Sequence, residues 1–273
     1  SETYGVIGNE GKVLDLKPLL GDRFADLAAL LGANDLSIVE KALASNQPTL
    51  NYDDLELLPV IPNPGKIFCI GLNYADHVQE TKREVTESPT IFFRVAESQV
   101  AHNQAIVLPP ESAKLDYEGE IAIVIGKGGR RISEEDSWSH IAGYACYNDG
   151  SIRDWQTATS QWGPGKNFWK TGGFGPWLVT SDEIKPGQQM TLVTRLNGQE
   201  MQRTTTDLLI HSIPKQIAYI SSFLPLNPGD VIVTGTPGGV GAKRNPPVFM
   251  KEGDIVEIEV DAVGVLKNTI SAE

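Results

Sequence analysis

The sequence predicts a β-rich α+β fold in which a rolled or barrel-like sheet forms the larger part of the chain. Apolar segments with β-branched and aromatic residues outnumber segments with helical spacing. Helix and strand signals do not alternate regularly, which argues against a doubly wound parallel sheet. The length of 273 residues fits one large domain, or a main domain with a small one attached.

The first part of the chain, residues 1–62, is predicted to be a small N-terminal α+β domain. Its predicted elements are strands in YGVIG (4–8) and KVLDL (12–16) and helices over 24–32 and 36–46. The segment LPVIPNPGK (58–66) has three prolines and is the candidate linker. Residues 63–273 are then the main domain.

In the main domain, apolar runs predict strands and three further segments predict helices. The predicted strands lie at 66–73, 90–98, 120–127, 143–149, 227–237 and 251–260, with a hairpin at 190–202 turning at Asn197-Gly198. The predicted helices lie at 74–85, at 133–143 with Ser133 as N-cap, and at 212–223.

Composition excludes several classes of function. The net charge is −12 and no run of Lys or Arg occurs, which argues against nucleic acid and anionic membranes as partners. No stretch of about 18 apolar residues occurs, as a membrane helix would need, and the first residues show no signal peptide.

Cys69 and Cys146 lie in apolar strand-like segments outside any CxxC pair. We therefore expect them to be reduced and buried, in a cytoplasmic protein.

The stretch LDYEGE (115–120) concentrates acids at the start of an apolar strand. In extended chain Asp116, Glu118 and Glu120 share a face, and the last two repel by about 2 kcal/mol at an effective dielectric of 20. A hard cation such as Mg²⁺, Mn²⁺ or Ca²⁺ would relieve this repulsion, with Asp149 as a third oxygen ligand. The alternatives are a solvated strand face, and an Asx-turn or helix-cap role for Asp149.

Two other motifs carry candidate catalytic groups. His77 and Glu80 would share a helix face, so that Glu80 could orient the imidazole of a general base; the alternative is a surface pair. Lys166 and Lys170 lie in the Gly-rich and aromatic segment 163–177 and could neutralise an anion, or be ordinary loop lysines. GxxxxGK[ST], GxSxG and HExxH motifs are absent.

Five motifs taken in order resemble the catalytic C-terminal domain of the fumarylacetoacetate hydrolase family. They are GLNYADHVQE, DYEGEIAIVIG, GYACYNDGSIRDWQ, GPGKNFWKTGGFGP and PGDVIVTGTPGGVG, and the resemblance covers about residues 66–270. It implies a mixed β-roll, and the first sixty residues look like the small N-terminal domain of many members. It also implies that Asp116 is not a metal ligand.

The resemblance further implies roles for individual residues. Glu118, Glu120 and Asp149 match metal carboxylates that usually bind Mg²⁺ or Mn²⁺. The acid–base pair is matched by His77 and Glu80, and the lysine of the family's GK loop by Lys166. The substrate-binding residues implied are Arg94, Arg153, Gln156 and Thr236.

At two positions the sequence departs from the family's pattern, and both positions bear on which substrate the protein takes. Arg94 stands where many members have Lys, which keeps the charge but offers a planar fork. Trp169 stands where many have Asp. Trp162 and Trp169 could form an apolar wall for a substrate, or be core or dimer-contact residues.

The resulting prediction is a metal-dependent hydrolase that cleaves a C–C bond in a 2,4-dioxo acid such as an acylpyruvate or fumarylpyruvate, as in aromatic catabolism. His77 and Glu80 would activate water, and the metal would stabilise a pyruvate enolate. The alternatives are a decarboxylase of oxaloacetate-like acids, a hydratase, dehydratase or isomerase of the same family, and a non-catalytic metal-binding scaffold. A homodimer is expected from the resemblance. The sequence does not name the substrate tail or choose the metal.

Overall fold

A computed structural model describes residues 2–8 and 11–273 and confirms the β-rich α+β architecture. The helices are α1 Lys17–Leu20, α2 Leu27–Gly32, α3 Ser37–Ser45, α4 Ala75–Glu80, α5 Arg153–Gln156, α6 Gly163–Lys166 and α7 Ile213–Phe223. The strands are β1 Gly5–Ile7, β2 Lys12–Asp15, β3 Leu50–Asn51, β4 Ile67–Gly71, β5 Thr90–Arg94, β6 Gln99–Val100, β7 Ile106–Leu108, β8 Leu115–Asp116, β9 Gly119–Ile125, β10 Ile141–Asp149, β11 Ser151–Ile152, β12 Gly172–Thr180, β13 Thr191–Leu196, β14 Gln199–Thr205, β15 Val231–Val233, β16 Ile255–Val260 and β17 Gly264–Ala272.

Two large sheets form the main part of the molecule. A seven-stranded mixed sheet has the order β5-β4-β15-β9-β10-β12-β6, with β4–β15 and β6–β12 parallel and the other pairs antiparallel. A five-stranded sheet has the order β14-β13-β16-β17-β7, and only β17–β7 is parallel. Short strands β8 and β11 form a separate antiparallel pair. Together the two large sheets curl into a half-barrel.

The central strand β9 is buried on both faces, which explains its unbroken apolar sequence. Ile121, Ile123 and Ile125 belong to the main core, which also contains β16 and α7. Ala122 and Val124 point the other way, into a second cluster with β15. Burial on two faces removes the apolar–polar alternation typical of a half-exposed strand.

The N-terminal residues have an apolar cluster of their own, centred on Tyr4, Leu14, Leu16 and Phe24 beside the sheet β1-β2-β3. The proline-rich segment 58–66 has no helix or strand. It is not a free tether, however, because Val60 and Ile61 are buried in the second main-domain cluster. Division of the chain at residue 62 stays a prediction.

Local predictions succeeded where turn chemistry was explicit and failed where helical spacing was weak. Asn197 and Gly198 both have positive φ, which confirms the predicted hairpin turn. The predicted helix over 133–143 is wrong. Only one 3₁₀ turn forms, at Ser137–His140, and β10 begins at Ile141, where pairing with Ile125 of β9 draws the chain into the sheet. None of the helices in the described ranges is both long and apolar enough to cross a membrane.

Gly119 marks a place where the two sheets approach too closely for a side chain. A Cβ at this position would lie 2.0 Å from Thr194 Oγ1 on β13. Gly119→Ala should therefore lower the free energy of unfolding by about 1–3 kcal/mol, measured by urea denaturation. Removing the opposing hydroxyl in Gly119→Ala/Thr194→Ala should recover part of the loss.

Gly163→Ala is the matched control for this substitution. Apart from its chain neighbours and the backbone of its own helix, no heavy atom of the described residues lies within 4 Å of a Cβ built at Gly163, and its φ is not positive. We expect no loss of stability there. An equal loss in both variants would contradict the steric explanation.

Candidate metal centre

Three carboxylates meet at one end of the central strand pair. Antiparallel pairing places Glu120 opposite Tyr147 and Gly119 opposite Asn148, and Asp149 N donates to the carbonyl oxygen of Glu118 at 2.9 Å. One ligand atom from each of Glu118, Glu120 and Asp149 lies within 4.8 Å of the others. All three side chains are buried, so neither the solvated face nor a simple cap role describes them.

Three basic side chains surround two of these acids. Lys166 Nζ lies 2.8 Å from Glu118 Oε2 and 2.6 Å from Asp149 Oδ2. Arg153 Nη1 lies 2.6 Å from Glu118 Oε1, and Arg94 Nη1 lies 2.6 Å from Asp149 Oδ1. Burial alone would raise the pKa of Glu118, but Lys166 and Arg153 outweigh burial and hold this pKa below its usual value, with a smaller contribution from nearby His77.

Glu120 differs from the other two acids because it has no cationic partner among the described residues. Its side chain is 1% exposed, and Oε2 accepts a hydrogen bond from the backbone N–H of Gly235. Burial, followed by the charges of Asp149 and Glu118, raises the pKa of Glu120 well above its usual value. The cluster therefore has one carboxylate whose negative charge still needs a partner.

Asp116 has a structural role, in agreement with its exclusion from the predicted ligands. The extended chain is interrupted between β8 and β9, and the fully buried Asp116 carboxylate accepts from Arg153 Nε at 2.8 Å. It also accepts from the backbone N–H groups of Gly241 and Ala242, each at 2.9 Å. It thus fixes both the arginine and the loop that carries the GGVG motif.

His77 and Glu80 form a hydrogen-bonded pair on α4, and the His77 side chain is buried. His77 Nδ1 lies 2.7 Å from Glu80 Oε1, and Glu80 Oε2 accepts from the backbone N–H of Gly239 at 2.9 Å. A carboxylate oxygen can only accept, so Nδ1 carries the hydrogen and Nε2 is left as a proton acceptor. The helix is shorter than predicted and ends at Glu80, two residues before Lys82 with its positive φ.

The other predicted polar groups lie around this centre with part of their capacity unused. Lys166 has three N–H donors and uses two on carboxylates. Arg153 Nη2 is buried without a partner, and Arg153 Nη1 also donates to Gln156 Oε1 at 2.8 Å. Thr236 Oγ1 accepts from Gln202 Nε2 at 2.9 Å, which leaves the Thr236 hydroxyl hydrogen available.

Arg94 is placed differently from what its predicted substrate-binding role requires. Its Nε donates to Ser98 Oγ, Nη1 to Asp149 Oδ1 and the carbonyl of Gly150, and Nη2 to the carbonyl of Ser98 and to Thr171 Oγ1. These bonds occupy all five N–H donors of a guanidinium. Arg94 is buried, and no donor is left for a substrate.

Gln202 is a site residue that the sequence did not reveal. Its Oε1 accepts from the N–H of Gly119, and its Nε2 donates to Thr236 Oγ1 and to the carbonyl of Pro237. The buried amide therefore links the chain between the two glutamates to the TGTP turn. A polar residue at an inward-facing position of the predicted hairpin was the available signal.

The two tryptophans near the centre have different surroundings. Trp162 packs edge-on against Phe92 at 5.5 Å and against Gly71, where a Cβ would lie 2.4 Å from its ring. Trp169 is 53% exposed and has Lys170 Nζ 4.6 Å from the centre of a ring. Trp162 is thus a packing residue, and Lys170 lies on the exposed face of Trp169 rather than in the acidic cluster.

The donor set fits a hard divalent cation. Carboxylate oxygens are the ligands that Mg²⁺, Mn²⁺ and Ca²⁺ prefer, and Glu118, Glu120 and Asp149 could supply three of them. The uncompensated, buried Glu120 is the feature that a bound cation would neutralise. Lys166, Arg153 and Arg94 already compensate the other two acids, so a metal would not be the sole source of positive charge in the cluster.

Comparison with known proteins identifies the family. Residues 66–271 match the C-terminal domain of fumarylacetoacetate (FAA) hydrolase. The chain belongs to the fumarylacetoacetate hydrolase family. It is 39% identical over 268 residues to the mitochondrial oxaloacetate tautomerase FAHD2A of Bos taurus, covering 96% of this chain and 85% of the relative. The mitochondrial oxaloacetate tautomerase fahd2 of Xenopus laevis is 41% identical over 265 residues, covering 95% and 83%.

A solved structure supports the same assignment at the level of fold. The fumarylacetoacetate hydrolase of Exiguobacterium antarcticum superposes with a TM-score of 0.83 at 29% identity, covering 99% of this chain and 95% of that one. Family membership is therefore confirmed, whereas the narrower prediction of a C–C hydrolase is not, since the two curated relatives above are named tautomerases.

The predicted cytoplasmic location is contradicted by these relatives, which are named as mitochondrial proteins. The prediction rested on two unpaired cysteines and on the lack of a visible leader. Cys69 and Cys146 are indeed free and buried. However, targeting segments are removed from mature proteins and leave no trace in the folded part, so these residues cannot distinguish one compartment from another.

The unequal partners of Glu118 and Glu120 predict opposite effects of the same substitution in EDTA-stripped protein. Glu118→Gln should lower the free energy of unfolding by about 3 kcal/mol, because Lys166 and Arg153 each lose a charged acceptor. Glu120→Gln should leave stability unchanged or raise it, because it removes a buried acid that has no cationic partner among the described residues and whose charged form burial and the neighbouring carboxylates disfavour. Thermal unfolding of the two variants measures this difference.

Proposed function

We propose that this protein is a metal-dependent enzyme that interconverts the keto and enol forms of a 2-oxo acid of the oxaloacetate type. One observation carries the proposal: the buried His77, hydrogen-bonded to the partly exposed Glu80, lies close to a buried carboxylate triad that lacks one positive charge. The names of the curated relatives support the choice of reaction and a mitochondrial setting. This corresponds to the isomerase alternative of the sequence analysis more closely than to its hydrolase.

Glu118, Glu120 and Asp149 would hold Mg²⁺ or Mn²⁺, with Ca²⁺ as a further hard cation of the same preference. When bound, the cation would supply positive charge that stabilises negative charge on the C2 oxygen of the acid. The remaining donors of the chain then orient the acid. The unpartnered Nη2 of Arg153 is suited to a carboxylate oxygen, and Thr236 and Gln156 lie on segments that border the same acids.

The proton transfer is assigned to His77. Its Nε2 removes a proton from C3 of the keto acid, and the electrons of the broken C–H bond form the C2–C3 double bond while charge moves to the C2 oxygen. The third N–H of Lys166 stabilises that charge. His77 then gives the proton to the oxygen, which completes the enol without breaking any carbon–carbon bond. Glu80 holds the imidazole in the required tautomer.

A hydrolase of 2,4-dioxo acids is the second candidate, because the fold matches a fumarylacetoacetate hydrolase over nearly the whole chain. That reaction uses the same enolate but also needs an activated water and the loss of an acyl fragment. The burial of His77, Lys166 and the three acids favours proton transfer in a site with little water.

Incubation of metal-loaded protein with substrates separates the candidates. A tautomerase should speed the approach of enol-oxaloacetate to its keto form, followed by ultraviolet absorbance, and leave the carbon skeleton intact by NMR. Pyruvate plus a carboxylic acid from an acylpyruvate would instead indicate hydrolysis, and pyruvate plus CO₂ from oxaloacetate would indicate decarboxylation. Metal uptake with no turnover of any of these acids would indicate a non-catalytic metal-binding scaffold.

Loss of the proposed base should lower turnover strongly. His77→Ala is expected to reduce the tautomerisation rate by about 10²–10⁴-fold, as is typical of a positioned acid–base group. His102→Asn is the matched control, because His102 Nδ1 only accepts from Lys267 N and an Asn oxygen can replace it. Near-wild-type turnover in His77→Ala would remove His77 from the mechanism.

We further propose a homodimer, as the family resemblance implies. The exposed apolar residues Phe93, Val95, Trp155 and Trp169 lie on or near edge strand β5; Asn167 bonds to the backbone of Phe93 and Val95, and Phe168 packs on Trp155. Sedimentation velocity should show a dimer, and Trp169→Glu should shift it towards monomer. A wild-type monomer at micromolar concentration would contradict this proposal.

A further inference from the structure

We propose that Arg94 is a positioning residue that fixes the orientation of Asp149 for metal binding, and that it does not bind substrate. The inference rests on the proposed metal site and adds to it a residue that contacts neither metal nor substrate. It also explains why an arginine, whose fork of donors is rigid, occupies a position where a lysine would supply the same charge to Asp149.

The first support is the complete use of the guanidinium by the protein. Nη1 donates to Asp149 Oδ1 at 2.6 Å and to the carbonyl of Gly150 at 2.9 Å. One nitrogen therefore binds both the side chain of Asp149 and the backbone of the next residue. Nη2 and Nε are fixed from the other side by Thr171 and Ser98. A guanidinium held at five points cannot rotate, and neither can the carboxylate oxygen that it holds.

The second support is the space that the sheet leaves for this group. Gly172 of β12 pairs directly with Asp149 of β10. A Cβ on Gly172 would lie 2.7 Å from Arg94 Nη2 and 2.9 Å from Arg94 Cζ. The absent side chain at position 172 is therefore what allows the guanidinium to lie against the strand beside the acid.

The third support is the contrast between the two cations on Asp149. Lys166 Nζ contacts Asp149 Oδ2 but also Glu118, and it keeps one free donor at the end of a flexible side chain. Arg94 contacts only Oδ1 of the cluster and has no free donor. Lys166 thus keeps a donor that can bind substrate, whereas Arg94 has none left and only fixes the position of Asp149.

The test is the affinity of EDTA-stripped protein for Mn²⁺, measured by isothermal titration calorimetry. Arg94→Lys keeps the charge but loses the fork, and should weaken binding by about 10–100-fold, the usual effect of losing a partner of a metal ligand. Arg203→Lys is the matched control, since Arg203 is an exposed partner of Glu200. Its Mn²⁺ affinity should be unchanged.

Two milder variants keep Arg94 in place, in case Arg94→Lys folds poorly. Thr171→Val removes one acceptor of Nη2, and Gly172→Ala pushes on the guanidinium; both should weaken Mn²⁺ binding. Because both substitutions act through Arg94, Thr171→Val and Gly172→Ala together should cost less affinity than the sum of their separate losses. Full additivity of the two substitutions would overturn the proposal.

The outcomes separate this inference from the metal site itself. If Asp149→Asn loses Mn²⁺ binding but Arg94→Lys binds like wild type, with only a lower melting temperature, Arg94 is merely structural and the inference fails. If Arg94→Lys instead raises KM for oxaloacetate at saturating Mn²⁺ with unchanged Mn²⁺ affinity, Arg94 binds substrate. If Asp149→Asn binds Mn²⁺ like wild type, the proposed metal site fails with it.

Discussion

Mutual repulsion among buried carboxylates is the constraint around which this structure is organised. Asp116, Glu118, Glu120 and Asp149 are all buried, and three cations, Arg94, Arg153 and Lys166, contact all of these acids except Glu120. A buried charge without a partner costs several kcal/mol, so such a cluster is tolerated only if other segments bring compensating charges. Four acids and three bases leave one negative charge over, and the contacts assign it to Glu120.

The need to stabilise buried negative charge also explains the glycine-rich loop that follows β15. Its backbone N–H groups are arranged as in an anion-binding loop, and here they donate hydrogen bonds to the protein's own carboxylates. Gly235 donates to Glu120, Gly239 to Glu80, and Gly241 and Ala242 to Asp116. Oriented backbone amides stabilise negative charge without adding a titratable group. One loop thereby joins a proposed metal ligand, the partner of the proposed base and the acid that fixes Arg153.

Chemistry and stability are consequently coupled in this fold. The ion pairs compensate most of the negative charge of the centre, and the charge that remains at Glu120 would favour binding of a cation. The proposed base depends on the same loop through Glu80 and Gly239, so a change in the loop affects both proton transfer and the electrostatic balance.

The sequence by itself determined the β-rich class, the hairpin at Asn197-Gly198, and the residues Glu118, Glu120, Asp149, His77 and Glu80 as groups that come together. These follow from strand alternation, from turn chemistry, from i,i+3 spacing and from five motifs in order. Local periodicity, however, does not say which distant side chain comes within 3 Å of another. The sequence therefore did not reveal the hydrogen bonds that occupy Arg94, missed Gln202 and wrongly predicted a helix at 133–143.

Only the tertiary structure decided which cation each acid receives. Arg94 meets Asp149 across 55 positions of the chain, and Lys166 meets Glu118 across 48. Those pairings depend on sheet register, on the missing side chain of Gly172 and on the contact of two sheets at Gly119. Ion pairs form by proximity in space, and proximity between distant segments is a property of the packed fold, not of any local pattern.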